Sequence, residues 1–223
     1  MNFVNKNILL FIGLRPSNPA AYVASLSFSM SSSAPRFLTN RMCPYAQKAW
    51  IALELSGCDY ELEEISLYGP NGKPDSFLQL NPAGTVPVLV CGEDVVTDSE
   101  DILDYVSSGH VGRTWTGGEG EESTRWRNIV AEQLAPAGKR AVLGSGRNEL
   151  FALLEGLDGG VVGPYLCGER PSSADCAAFP FVWRIHDEFG LPDGCAKLGS
   201  WLSTCSENPS FRKTVQRSWW WWW

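Results

Sequence analysis

The chain has 223 residues, 44% hydrophobic and 19% charged, a composition of a soluble globular protein with one large domain or two ordinary ones. No stretch approaches the roughly 20 apolar residues of a membrane span, which argues against integral membrane insertion. The net charge of −7 argues against nucleic acid as a partner.

Residues 1–53 hold Lys6, Arg15, Arg36, Arg41 and Lys48 and neither Asp nor Glu, leaving −12 for the rest. The acid-free start, with its Ser and Ala clusters and the apolar run Ile8 to Leu14, has the composition of a targeting leader. Met30, which opens "MSSSAPRF", is an equally sensible first residue. Residues 1–34 are therefore set apart from the fold, either as a leader or as sequence ahead of the true start. Cytoplasmic residence is expected, with a plastid or other organelle as the alternative if the leader is read.

"RFLT", Arg36 to Thr39, is a short strand candidate, and a helix is expected from about Pro44 to Ser56. Ala46, Trp50, Ile51, Leu53 and Leu55 give that helix an apolar face and Gly57 a stop. "YELEEISL" alternates imperfectly, as a half-buried strand would, before "YGPNGKP" breaks the chain. "VPVLVCGEDVVTD" reads as a hairpin turning at Cys91-Gly92-Glu93-Asp94. Asp98 and Ser99 then open a helix carrying Ile102, Leu103 and Val106 on one face. The order over about 75 residues is β-α-β, a break, then β-β-α.

"GHVGRTWTGGEGEES", residues 109–123, is Gly-rich and aperiodic, hence a linker. Helical stripes follow: Trp126, Val130 and Leu134; Leu150, Leu153, Leu154 and Leu157; and Trp201, Leu202 and Cys205. Within "PSSADCAAFPFVWRIH", Ser172 and Asp175 form a capping-box-like start, and Pro180 should kink that helix or occupy an irregular turn. The end, "SWWWWW", carries five consecutive tryptophans that one helix face cannot bury. They are expected to pack over a cleft or on another subunit, or to be exposed.

Seven cysteines, Cys43, Cys58, Cys91, Cys167, Cys176, Cys195 and Cys205, include no C-x-x-C pair, and only two histidines, His110 and His186, are present. No metal site is expected, and the odd set reads as reduced thiols, mostly core filler. Cys43 stands apart because it precedes Pro44 at a helix start. Amides of a first turn can face its sulfur, and the positive helix end can lower a thiol pKa from about 8.5 into the range of about 3.5 to 7.5. Arg41 is a further candidate charge. The alternative, a buried inert thiol, is equally open on this ground.

Two other stretches carry chemistry. Val86-Pro87 enters a strand, either as an ordinary trans proline or as a cis bond that leaves the Val86 backbone free to pair with an extended peptide. Asp98-Ser99 lies at a strand-to-helix junction, where amides can hold a carboxylate and Asp98 an ammonium, although such residues are commonly only caps.

Cys43-Pro44-Tyr45-Ala46, "NPAGTVPVL" (Asn81 to Leu89), "TDSEDILDYV" (Thr97 to Val106) and "PSSADCAAFPF" together resemble the glutathione transferase superfamily. The resemblance is to its cysteine-type members: the omega and lambda classes and the dehydroascorbate reductases. It covers about residues 36–215 and implies an α/β thioredoxin-like domain (35–108) and an all-helical domain (124–215), with the linker (109–123) between them and the Trp-rich tail (216–223) after them. It further implies Cys43 as the catalytic sulfur, Val86 beside a cis Pro87 as the backbone partner of the cysteinyl part of glutathione, and Asp98 and Ser99 as holders of its γ-glutamyl end. Asp98 stands where the family usually has Glu, keeping the charge with a shorter reach. Lys73 is similar to a lysine of omega-type proteins that pairs with a glutathione carboxylate. Its alternative is a solvated loop lysine.

The resemblance makes glutathione a co-substrate, with no metal cofactor and a small disulfide or electrophile as the acceptor; homodimerisation is expected from the family alone. A cysteine in place of the usual tyrosine or serine implies a mixed disulfide with glutathione. Ala46, three residues on, leaves no resolving cysteine at this motif. The expected activity is glutathione-dependent thiol transfer or dehydroascorbate reduction. The alternatives are a non-catalytic binding or interaction protein of the same fold, or conventional conjugation of electrophiles. Channel-like insertion of the first helix is disfavoured because Lys48 interrupts it.

Overall fold

The computed structural model describes residues 34–68, 72–115 and 120–216. Strand β1 (Arg36–Thr39) alternates its two large side chains across the sheet, and both are fully buried. Phe37 faces one layer together with Leu89, and Leu38 faces the other with Val88, as the period of two in a strand requires. The first turn of helix α1 (Pro44–Ser56) keeps Pro44 where no amide is needed, and Gly57 closes the helix in the left-handed region at φ 64°.

Strand β2 (Glu61–Glu64) runs parallel to β1, while β3 (Val88–Cys91) and β4 (Asp94–Val96) are antiparallel, giving the strand order β2-β1-β3-β4. Helix α3 (Ser99–Ser107) buries Ile102, Leu103 and Val106 as their spacing predicts. The arrangement is thioredoxin-like. Between β2 and β3 the chain also forms helix α2 (Asp75–Leu80), where the sequence reading has only a break. Phe77 is its only buried side chain, so one anchor in six residues leaves no period to detect.

The helical half comprises α4 (Glu121–Ile129), a π-turn (Val130–Leu134), α5 (Ala135–Val142), α6 (Arg147–Asp158), α7 (Ser173–Phe189), α8 (Ala196–Glu207) and the short α9 (Pro209–Arg212). The first of these begins at Glu121, inside the stretch 109–123 read as linker. The stripe Trp126, Val130 and Leu134 is buried throughout, across the π-turn. Helix α7 runs through Pro180 without an irregular turn, and the proline is buried. Its start is pinned by Asp175, whose carboxylate accepts from the Ser172 amide (2.8 Å) and hydroxyl (2.7 Å), the Leu166 amide (2.8 Å) and Trp201 Nε1 (2.7 Å).

A single apolar cluster joins the two halves, from Phe37, Trp50 and Ile102 through Trp126 to Phe179, Trp201 and Phe211. Helix α7 therefore packs under α1, against the element that opens at Cys43. Among the described residues no helix is long and apolar enough to cross a membrane. The leader assigned to residues 1–34, apart from Ala34, and the tryptophans 219–223 lie outside the described residues.

Candidate active site

The loop from β1 to α1 is held by Asn40. Its side chain donates to the Ile65 carbonyl (3.0 Å) and accepts from the Met42 amide (3.1 Å), while its own carbonyl accepts from the Cys43 amide (2.9 Å). Cys43 is thereby fixed as the residue that caps α1, with extended backbone at φ −78° and ψ 118°. Amides of Tyr45 and Ala46 act on its sulfur, although neither closes a regular capping hydrogen bond.

The electrostatics of this thiol oppose the helix-start effect. Burial pushes the Cys43 pKa above the ordinary value, and the Ala46 and Tyr45 amides, the Arg184 guanidinium and the Lys48 ammonium only partly offset it. A helix start lowers a thiol pKa when water still reaches the sulfur; here desolvation is the larger effect. Arg41 is engaged elsewhere. Its Nε is 3.2 Å from Glu64 Oε2, and its guanidinium lies 5.7 Å from the centre of the Trp50 ring.

Cys43 opens onto a cavity of about 370 Å³ whose lining includes Met42, Tyr45, Lys73, Thr85 and Val86. Lys73 reaches it across Gly84, which lies at φ +65°; a Cβ there would stand 2.9 Å from Lys73 Nζ and 3.0 Å from its Cδ. The next turn is shaped by Asn81, which donates to the Thr85 carbonyl (2.8 Å) and hydroxyl (3.1 Å) and accepts from the Ala83 amide (3.2 Å). The Val86-Pro87 bond is cis, Val86 and Pro87 are buried, and β3 pairing begins only at Val88.

Asp98 and Ser99 are not among the residues lining this cavity. Asp98 is exposed and acts as a cap, its Oδ1 accepting from the Glu100 amide at 2.7 Å, and Ser99 is buried in the first turn of α3. Of the residues singled out in the sequence, Cys43, Lys73 and Val86 thus share one cavity, Pro87 follows directly, and the Asp98-Ser99 pair stands at a separate helix start. No disulfide joins any of the seven cysteines, and among the described residues no group of three or more His, Cys, Asp or Glu side chains could hold a metal ion.

A family model of the glutathione S-transferase N-terminal domain matches residues 42–108, and one of the C-terminal domain matches residues 121–203. The chain belongs to the glutathione S-transferase family. Glutathione S-transferase 1 of Dianthus caryophyllus is 28% identical over 184 residues, which are 73% of this chain and 83% of that protein. Glutathione S-transferase omega-1 of Mus musculus is 25% identical over 78% of this chain and 77% of its own length. Among solved structures, glutathione transferase Omega 3C from Trametes versicolor superposes with a TM-score of 0.74 at 22% identity, covering 83% of this chain and 90% of that one.

Two residues beside the cysteine of this glutathione S-transferase family member escape a reading of its sequence. Gln47 and Arg184 are both buried, and Arg184 Nη1 donates to Gln47 Oε1 across 137 residues of chain. The only local signal is a single cation, Arg184, inside the apolar run "AAFPFVWRI".

Proposed function

We propose that the protein is a glutathione-dependent thiol transferase or dehydroascorbate reductase working through a Cys43–glutathione mixed disulfide. The observation that carries this reading is the convergence of the Cys43 sulfur, the Lys73 ammonium and the Val86 turn on one cavity of about 370 Å³. In this reading Lys73 pairs with a glutathione carboxylate and the Val86 backbone pairs with the cysteinyl unit. The first turn of α3 holds the γ-glutamyl end: with Oδ1 of Asp98 engaged on the Glu100 amide, Oδ2 is left for the ammonium.

The Cys43 thiolate attacks the glutathione sulfur of a mixed disulfide, forming the Cys43–glutathione disulfide and releasing the other thiolate, which takes a proton. A second glutathione thiolate then attacks the sulfur of the bound glutathione, releasing glutathione disulfide and restoring Cys43. Ala46, fully buried one turn into α1, leaves glutathione as the resolving thiol at this motif.

A non-catalytic binding role is favoured by one observation, the upward shift of the Cys43 pKa. One assay separates the two: glutathione-dependent reduction of a small glutathione mixed disulfide by the wild type and by Cys43→Ser. The proposal expects the variant to lose on the order of a hundredfold or more in turnover. Undiminished turnover in Cys43→Ser overturns it, and glutathione binding without turnover in either protein establishes the binding role instead.

A further inference from the structure

Arg184 projects from α7, in the helical half, and is buried, with 6% of its surface exposed. Burying a guanidinium is costly unless its donors are met and its charge is balanced. Three of its five N–H groups donate to neutral oxygens: Nη1 to the Gln47 side chain and to the Pro180 carbonyl (2.8 Å), and Nη2 to the Met42 carbonyl (3.2 Å). The charge is not balanced by any carboxylate in ion-pair contact among the described residues.

The positions of those acceptors are informative. Met42 immediately precedes Cys43, and Gln47 follows it by one helical turn, so a single planar fork spans the two sides of the cysteine. Gln47 is fixed in turn, donating from Nε2 to Thr214 Oγ1 at 3.1 Å, and Thr214 donates to the Phe211 carbonyl at 2.8 Å. The loop that presents the sulfur is thus fastened from beneath by α7 and by the segment after α9. Helix α7 also places Phe181 edge-on to Tyr45, ring centres 5.4 Å apart, in the turn after Cys43.

We propose that Arg184 is a positioning residue for Cys43: a guanidinium supplied by the helical half that clamps both flanks of the cysteine and serves as its buried counter-charge. This rests on the thiol-transfer reading above and adds to it the requirement that the helical half complete the nucleophile. The two charges act on each other. Arg184 lowers the Cys43 pKa, and Cys43 raises that of Arg184, although burial is the larger effect and still leaves the guanidinium depressed to about 10. The other groups facing the sulfur are Lys48, which is paired with Glu100, Tyr45 on the same turn, and Lys73 and Tyr68 on the cavity wall.

The test follows iodoacetamide labelling of the Cys43 peptide against pH by mass spectrometry, in the full-length wild type and in Arg184→Gln and Arg184→Lys. Arg184→Gln is expected to raise the labelling midpoint by about one pH unit, and Arg184→Lys to recover at least about half of that shift by keeping the charge. An unchanged midpoint in folded Arg184→Gln overturns the proposal. In the wild type, the 15Nε resonance of Arg184 is expected to move with the Cys43 midpoint; a resonance that stays flat through that titration overturns the proposal whether or not the variants fold. The labelling needs no glutathione, so its outcome is independent of the turnover assay that tests the activity itself.

Discussion

Two influences of opposite sign meet at the Cys43 sulfur. The first-turn amides and two cations favour the thiolate, while burial against the cluster that includes Leu38, Ala46 and Val86 disfavours it by withholding solvating water. Enclosure is the larger, so the folded thiol holds its proton more firmly than a free cysteine. Its reactivity should therefore keep rising with pH through and beyond the ordinary thiol midpoint, about 8.5, without a plateau near neutrality. Labelling of the Cys43 peptide by iodoacetamide between pH 6 and 10 measures this directly. A plateau reached below about pH 7.5 would mean that the helix start dominates after all.

At the scale of the element, the start of α7 rests on one carboxylate with four donors. Asp175 is fully buried, and removing its oxygens strands two backbone amides, a hydroxyl and the Trp201 indole. Asp175→Ala is expected to lower stability by about 3 kcal/mol, read as a lower urea midpoint with an unchanged slope. A midpoint within error of the wild type would show that the donors find other partners. The Ser172–Asp175 box was legible because its partners lie three residues apart. Helices α1 and α3 and the β3–β4 hairpin were legible because each has a repeated apolar position closed by Gly or opened by Pro or Asp. Helix α2 also opens at Pro74 and Asp75, but it buries only Phe77 and so has no repeated apolar position. The same distinction runs through the candidate site: Cys43-Pro44 and Val86-Pro87 announce themselves as neighbours in sequence, whereas Gln47 and Arg184 become partners only when α7 packs beneath α1.

Across the whole molecule, charge reinforces what the shared apolar cluster begins. Lys48 of α1, almost wholly buried, pairs with Glu100 of α3. Glu100 also accepts from Arg127 Nε of α4 at 2.8 Å, and Arg127 Nη1 reaches Asp104 at 2.5 Å. Three helices from both halves thus converge on one carboxylate. Burial would raise the Glu100 pKa, but Lys48 and Arg127 together hold it below its ordinary value of 4.5. A depressed folded pKa contributes stability that is present above the unfolded value and lost as pH falls through the folded one. Glu100→Gln leaves the Lys48 ammonium buried without its counter-charge, a change worth about 3 kcal/mol or roughly 6 to 12 °C in Tm near neutrality. The gap between wild type and variant should narrow as pH falls below the ordinary carboxylate range, where the wild-type carboxylate, held below its usual pKa, takes up its proton. Thermal melts of both proteins from pH 3 to 7 decide the matter: a gap that stays constant over that range removes Glu100 as the ionised centre of the network and leaves the apolar cluster alone to hold α4 against α1 and α3.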